Sequence, residues 1–274
     1  MLRLTARAWE RDRYLAALLG PRNVRADLIA LAAFAGEIAR IPAYVHEPMM
    51  GEIRLQWWRD AILAPQESPP TGHPIADALR SALSRHGLPK HLLIGFVDAQ
   101  AFGLADEPLA NDQMLTAQLA KTEGALFELA LRVLGSDNGS ARRLAGVAGK
   151  AYGLARLLLE TPALWAQGRT LIPLSRLEEA DLSLAEYKAG PPSGRLHPIF
   201  SALAADARKN MIEIRRLRTD LRGVQHVALL PLAVVEPYLR AFEKPGRDQL
   251  RDPVDIPPMR RVWCLWRSYM TGRF

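Results

Sequence analysis

The chain has 274 residues, of which 49% are apolar and 24% charged, the balance of a globular protein with a sizeable core. Its formal net charge of +7 comes mostly from arginine, because only six of the 36 basic residues are lysine. That sign suits anionic partners such as lipid headgroups or diphosphates, whereas basic residues spread along the chain without interleaved aromatics argue against nucleic acid. Cys264 is the only cysteine, which excludes an intrachain disulfide, and no run of about 18 apolar residues suggests a membrane span.

The N-terminal MLRLTARAWERDRYLAALLG alternates basic and acidic residues without a long apolar core, unlike a signal peptide, so a cytoplasmic location is expected. Beyond it, apolar residues recur at helical spacing and strand-like alternation is nearly absent, so the fold class is all-α. Glu47-Pro48 is a helix start, with the helix running to about Leu63. Its apolar residues spread around most of the circumference, so this helix is expected to be central, with Arg54 inside and the Trp57-Trp58 pair filling core or lining a ligand.

Asn111 or Asp112 caps the next long helix, which leaves at Gly135, and another is expected from Ser140 to about Glu160, stopped by Pro162. A long helix lies within Arg195 to Arg222, carrying the basic run Arg215, Arg216, Arg218 and Arg222. Residues 226 to 243 have a helical pattern that Pro231 and Pro237 should kink or break. Residues 246 to 258 read as a loop before a last short helix. The expected division is therefore a helical domain over 1–245 and a loop with a basic-aromatic helix over 246–274.

Four stretches carry a family resemblance: Ala33-Phe34 with Glu37; EPMMGEIRLQWWRDAI at 47 to 62; KTEG at 121 to 124; and GLARLLLETPALWAQGRTLIP at 153 to 173. Their order and spacing resemble the squalene/phytoene synthase family, from Asp12 to about Leu239. The IRLQWWRD string is similar to the branch that includes a mitochondrial complex I assembly factor. The resemblance implies an isoprenoid-synthase-like helical bundle around a central cavity. In the family's enzymes two Asp-rich motifs on facing helices hold Mg²⁺ and the diphosphates of two prenyl substrates.

Matched to this chain, the first motif's Asp positions fall on Ala39, Arg40 and Ala43, and none is acidic. The second motif's carboxylates fall on Glu160, Ala163 and Leu164, and its amide position on Arg156. At most Glu160 could serve a metal. One carboxylate cannot anchor Mg²⁺ against two diphosphates, so no cofactor and no catalytic residue is expected. Arg40 and Arg156 could neutralise phosphate instead, which serves binding more readily than ionisation.

Glu37, Arg40, Arg54, Trp57, Glu123, Arg156, Glu160 and Arg169 are the ligand-cavity candidates. Glu37 has a plainer reading as an intrahelical ion pair with Arg40, and Glu123 as a buried pair with an arginine such as Arg54. Tyr44, His46 and Glu47 form a turn that could gate a cavity. The histidines lack metal-ligand spacing, and Asp248, Asp252 and Asp255 sit in a proline-broken loop unsuited to a metal.

In the tail, Val262, Leu265, Trp266 and Tyr269 form one stripe. Arg260, Arg261, Trp263, Trp266 and Arg267 are candidates for contact with an anionic membrane surface, and packing of the helix onto the body is the alternative. The expected function is a non-catalytic factor that binds a prenyl lipid or serves respiratory complex I assembly, cytoplasmic or peripheral at the inner membrane. The alternative is an active farnesyl- or geranylgeranyl-diphosphate transferase that needs Mg²⁺.

Overall fold

Helices form between the proline and glycine breaks, and local chemistry fixes their ends. The structure, a computed structural model, describes residues 1–44, 47–104, 107–218, 221 and 223–274. In chain order the helices are α1 (Leu2–Trp9), α2 (Arg11–Leu19), α3 (Arg25–Ala39), α4 (Ile41–Tyr44), α5 (Pro48–Leu63), α6 (Pro74–His86), α7 (Lys90–Phe102) and α8 (Asp112–Leu119). A π-helical turn, Ala120–Gly124, leads into α9 (Ala125–Val133). Then follow α10 (Gly139–Ala166), α11 (Leu174–Glu179), α12 (Leu184–Ala189), α13 (Ser193–Leu217), a 3₁₀ stretch (Gly223–Val234), α14 (Val235–Phe242) and α15 (Pro258–Thr271). The described residues contain no strand, as the apolar period requires.

The caps explain the starts. Asn111 accepts from the Met114 amide at 3.0 Å, Asn138 from that of Ala141 at 2.8 Å, and Ser183 with Glu186 forms a reciprocal capping box. At the other end of α6, Gly87 adopts φ +57, the left-handed turn a side chain resists.

Two expectations about helices fail. Helix α10 does not stop at Pro162 but passes through it to Ala166. Beyond the proline it is anchored by Trp165, whose indole N–H donates to the Tyr187 carbonyl at 3.0 Å and whose ring lies under the Arg251 guanidinium. Packing thus offsets the lost backbone bond. Helix α5 is not central: among its described side chains it buries only Gly51, Leu55, Trp58, Ala61 and Ile62, and Arg54 faces outward. Its apolar circumference exceeds what its neighbours cover, leaving Met49, Met50, Ile53 and Trp57 exposed.

Helix α3 takes the central place, buried continuously from Asp27 to Gly36. Its small residues let neighbours approach on all sides: a Cβ at Gly36 would meet the Trp9 Cβ at 2.7 Å, so α1 lies directly on α3. Helix α10 forms the second axis, packed along α13 and against the π turn, α9 and α14. The expected break near Pro231 and Pro237 takes the form of the 3₁₀ stretch giving way to α14 at Val235. Helix α15 lies on α2 and the 3₁₀ stretch.

The crossing of α10 with the π turn is a close backbone contact. A Cβ on Gly149 would lie 2.4 Å from the Gly124 nitrogen and 2.5 Å from its Cα, and one on Gly153 would meet Leu119 and the Glu123 side chain. Backbone cannot yield as a side chain can. Gly149→Ala is therefore expected to cost about 1–3 kcal/mol in urea unfolding. Gly95→Ala in α7, where an added Cβ meets nothing within 4 Å, should instead gain roughly 0.5–1 kcal/mol.

Candidate functional site

Charged side chains from α2, its N-terminal flank, the π turn and α10 converge beside the packing of α10 on the π turn. The π turn places Glu123 inward, and the Thr122 hydroxyl donates to the Gln118 carbonyl at 2.8 Å. Arg13 donates to Glu123 at 2.6 Å and to Glu10 at 2.8 Å. Arg156 donates to Glu10 at 2.6 Å and to Glu160 at 2.8 Å, and its Nη1 lies 3.3 Å from Glu123. Glu10 is only 3% exposed. Two guanidiniums thus bridge three carboxylates.

Aromatic rings close the cluster. The Arg13 guanidinium lies 5.1 Å from the Phe127 ring and 5.0 Å from that of Tyr152, with Arg156 also over Tyr152. The Tyr152 hydroxyl then donates to Asp12 at 2.8 Å, and Asp12 also accepts from Tyr238. Arg261 completes this second cluster, with Nε 2.8 Å from Asp12, and its Nη2 donates to Tyr238 at 2.9 Å and to Asp255 at 2.6 Å. A polar spine therefore joins α2, α10, α14 and α15.

The electrostatics follow from burial. Desolvation pushes the Glu10 carboxyl up, but Arg156 and Arg13 outweigh it and hold it below the usual carboxylate range. Desolvation works against the charge of Arg13 and Arg156 too, and the attraction of their carboxylates outweighs it, so both stay protonated. Burial, then the nearby Asp12 charge, raises the Tyr152 and Tyr238 hydroxyls above the ordinary phenol range.

This donor set does not fit the Mg²⁺ that the family resemblance implies. Each carboxylate at the centre is already held by arginine, so a divalent ion would have to displace a guanidinium from a partly buried pair. Among the described residues no group of three or more His, Cys, Asp or Glu side chains is placed to hold a metal. The void beside Arg13, bordered by Ala16, Leu31, Phe127 and Val227, measures about 30 Å³, room for a single water.

The remaining candidates separate. Glu37 pairs with Arg40 at 2.6 Å, the plainer reading of the two, while its Oε2 is buried without a partner. Arg169 donates to the Gly103 carbonyl at 2.6 Å and holds a loop. Arg54 does not meet Glu123; it borders, with Glu37, Arg40 and Trp57, a different groove. Arg261 is no membrane contact, since it is 4% exposed and paired with Asp12. Leu265 also faces inward, which splits the expected stripe, whereas Arg260, Trp263, Trp266 and Arg267 are exposed. His46 of the possible gate and Arg222 of the basic run lie outside the described residues.

Sequence reasoning missed Glu10, Asp12, Arg13, Tyr152 and Tyr238. The i,i+3 spacing of Glu10 and Arg13 and the i,i+4 spacing of Tyr152 and Arg156 were the available signals, but neither shows that the two pairs meet.

The fold and the four sequence stretches now stand beside known proteins. The squalene/phytoene synthase family model matches residues 6–262, and the chain belongs to that family. Among curated relatives, complex I assembly factor 6 of NADH dehydrogenase (ubiquinone) from Bos taurus is 26% identical over 231 residues, covering 84% of this chain and 69% of the relative. The Homo sapiens protein of the same name is 25% identical, with 93% and 78% covered. Among solved structures, squalene synthase HpnC from Alicyclobacillus acidocaldarius superposes with a TM-score of 0.75 at 18% identity, covering 89% of this chain and 92% of that one. A dehydrosqualene synthase in complex with ligand gives 0.75 at 14% identity, with 99% and 95% covered. These two likenesses establish the isoprenoid-synthase fold.

Removing one arginine leaves a buried carboxylate under-compensated. Arg156→Met is expected to cost about 3 kcal/mol at pH 7 in urea unfolding. The folded pKa of Glu10 is depressed, so its contribution is present above the unfolded value of about 4.5 and lost as pH falls through the folded one. The gap between wild type and variant should accordingly narrow between pH 5 and pH 3, when the same unfolding is followed across that range.

Proposed function

We propose that this protein is a non-catalytic member of its family that acts in assembly of an NADH dehydrogenase (ubiquinone) complex I, as the names of its curated relatives suggest. The observation that carries this reading is the arginine-bridged cluster of Glu10, Arg13, Glu123, Arg156 and Glu160 at the centre of the bundle. It supports a stable scaffold over a metal-dependent transferase, because it neutralises the carboxylates internally.

The reading includes a peripheral membrane site on α15. Among the described residues no helix is long and apolar enough to cross a membrane. Yet α15 presents Met259, Val262, Trp263, Trp266, Tyr269 and Met270 to the outside, with Trp263 and Trp266 stacked at 5.2 Å. Arg260 and Arg267 are exposed on the same helix. Interfacial tryptophans beside arginines suit an anionic lipid surface, and the buried Arg261 fixes the helix so that this face stays outward.

Two measurements test the proposal. Purified protein with Mg²⁺ and farnesyl or geranylgeranyl diphosphate should release no pyrophosphate, and deleting the gene should lower NADH dehydrogenase activity of the membranes, with the Glu160→Ala variant restoring it fully. Turnover abolished by Glu160→Ala, or unchanged activity after deletion, would overturn it. In sedimentation with vesicles containing anionic lipid, the Trp263→Ala/Trp266→Ala double variant should bind at least tenfold more weakly than wild type; equal binding would remove α15 as the membrane site.

A further inference from the structure

The basic run of α13 takes no part in the central cluster, and its end lies beside the last turn of α15. Gly272 closes α15 at φ +63, the left-handed conformation that turns the chain out of the helix. Arg218 donates to the Gly272 carbonyl, Arg215 donates to the Phe274 main-chain oxygen at 3.2 Å, and the Arg218 guanidinium lies 5.2 Å from the Phe274 ring. Phe274 itself packs against the core. The end of α13 and the end of α15 therefore form one continuous surface.

Its charge is not cancelled. Arg215, Arg216 and Arg273 are exposed and Arg218 is half-buried. The hydrogen bonds of Arg215 and Arg218 go to main-chain oxygens, which hold the side chains in place without neutralising them, and among the described residues Arg215, Arg218 and Arg273 have no carboxylate partner. Glu213 of the same helix lies instead 3.5 Å from Arg143 of α10. Next to the arginines the surface is apolar: Val224 is exposed at the start of the 3₁₀ stretch on which α15 lies, and Trp263, Trp266 and Met270 share the outward side of α15 at i, i+3 and i+7. An apolar band thus runs along α15 and ends in a cluster of guanidiniums.

From this juxtaposition we infer that the end of α13 and the tail after Gly272 are the headgroup-binding half of the α15 site, with the phosphates of anionic phospholipids on Arg215, Arg216 and Arg273 and the side chains of Trp263, Trp266 and Met270 at the boundary with the acyl chains. The inference rests on the membrane reading of α15 and deepens it, because it names the class of lipid and the second element that faces it. The planar guanidinium suits a phosphodiester, and each arginine near an anionic bilayer strengthens binding about fivefold. A basic patch alone would suit an acidic protein as well. Indoles and a methionine exposed beside it suit the interfacial layer of a membrane.

Sedimentation of the full chain with vesicles of phosphatidylcholine, alone or mixed with phosphatidylglycerol, tests it. Wild type should prefer the anionic vesicles, by a margin that shrinks as salt rises. Arg215→Gln/Arg273→Gln should lose about tenfold on the anionic vesicles. Arg215→Lys/Arg273→Lys, which keeps the charge, should retain most of the binding and so separates lost charge from a loosened tail. Lys121→Gln/Lys188→Gln removes the same charge from the π turn and α12 and should bind as wild type does. If Trp263→Ala/Trp266→Ala weakens binding and the arginine-to-glutamine variant does not, the inference is overturned and the α15 reading stands; if wild type does not bind, or neither variant differs from it, both are overturned. An equal loss in the Lys121/Lys188 control would reduce the effect to net charge and overturn the inference too. So would an arginine-to-glutamine variant that binds vesicles normally but fails to restore NADH dehydrogenase activity after gene deletion, since the cluster would then serve an acidic protein.

Discussion

Two guanidiniums shared among three carboxylates hold the centre of this protein, and the geometry around them follows from the need to satisfy charges that have left water. Arg13 cannot be buried between Phe127 and Tyr152 unless Glu10 and Glu123 meet it. Glu123 reaches it because the π turn adds a residue to the helix at that point, and the turn fits against α10 because Gly149 carries no side chain. A change at any of these positions exposes the others to an unpaired charge, which is why the constraint is shared across so much of the chain.

The same spine explains how the C-terminal helix is seated. Asp12 is the neighbour of Arg13 in sequence but faces Tyr152, Tyr238 and Arg261. Through Arg261 it fixes the rotation of α15, turning Leu265 and Ser268 inward. The two tryptophans are outside for that reason. A buried arginine thus orients an exposed apolar face, and the electrostatics of the interior set the chemistry of the surface.

Of the two helices that in the family's enzymes carry the acidic motifs, α10 contributes Arg156 and Glu160 to the neutralised cluster here, and the end of α3 carries the Glu37–Arg40 pair. An open, chemically mixed groove lies beside α5, where Arg54 and Trp57 are exposed. Loss of the acidic positions at Ala39 and Arg40 is compatible with the scaffold because α3 is held by small residues and α1, independent of a metal.

The sequence by itself determined the all-α class, the family, the missing acids of the first motif, the helix start at Glu47-Pro48 and a cap at Asn111 or Asp112, because helical period, proline, glycine and residue identity are local properties. It also made the Glu37–Arg40 pair legible, since three residues in a helix span one turn. Only the tertiary structure decided that Glu123 pairs with Arg13 and not with Arg54, that Arg261 is inside, and that α3 rather than α5 is central. Those outcomes depend on which faces meet across more than a hundred residues of chain, and a helix apolar on several sides does not state which side its neighbours will cover. The passage of α10 through Pro162 has the same origin: contacts made by Trp165 with a distant loop outweigh a local rule.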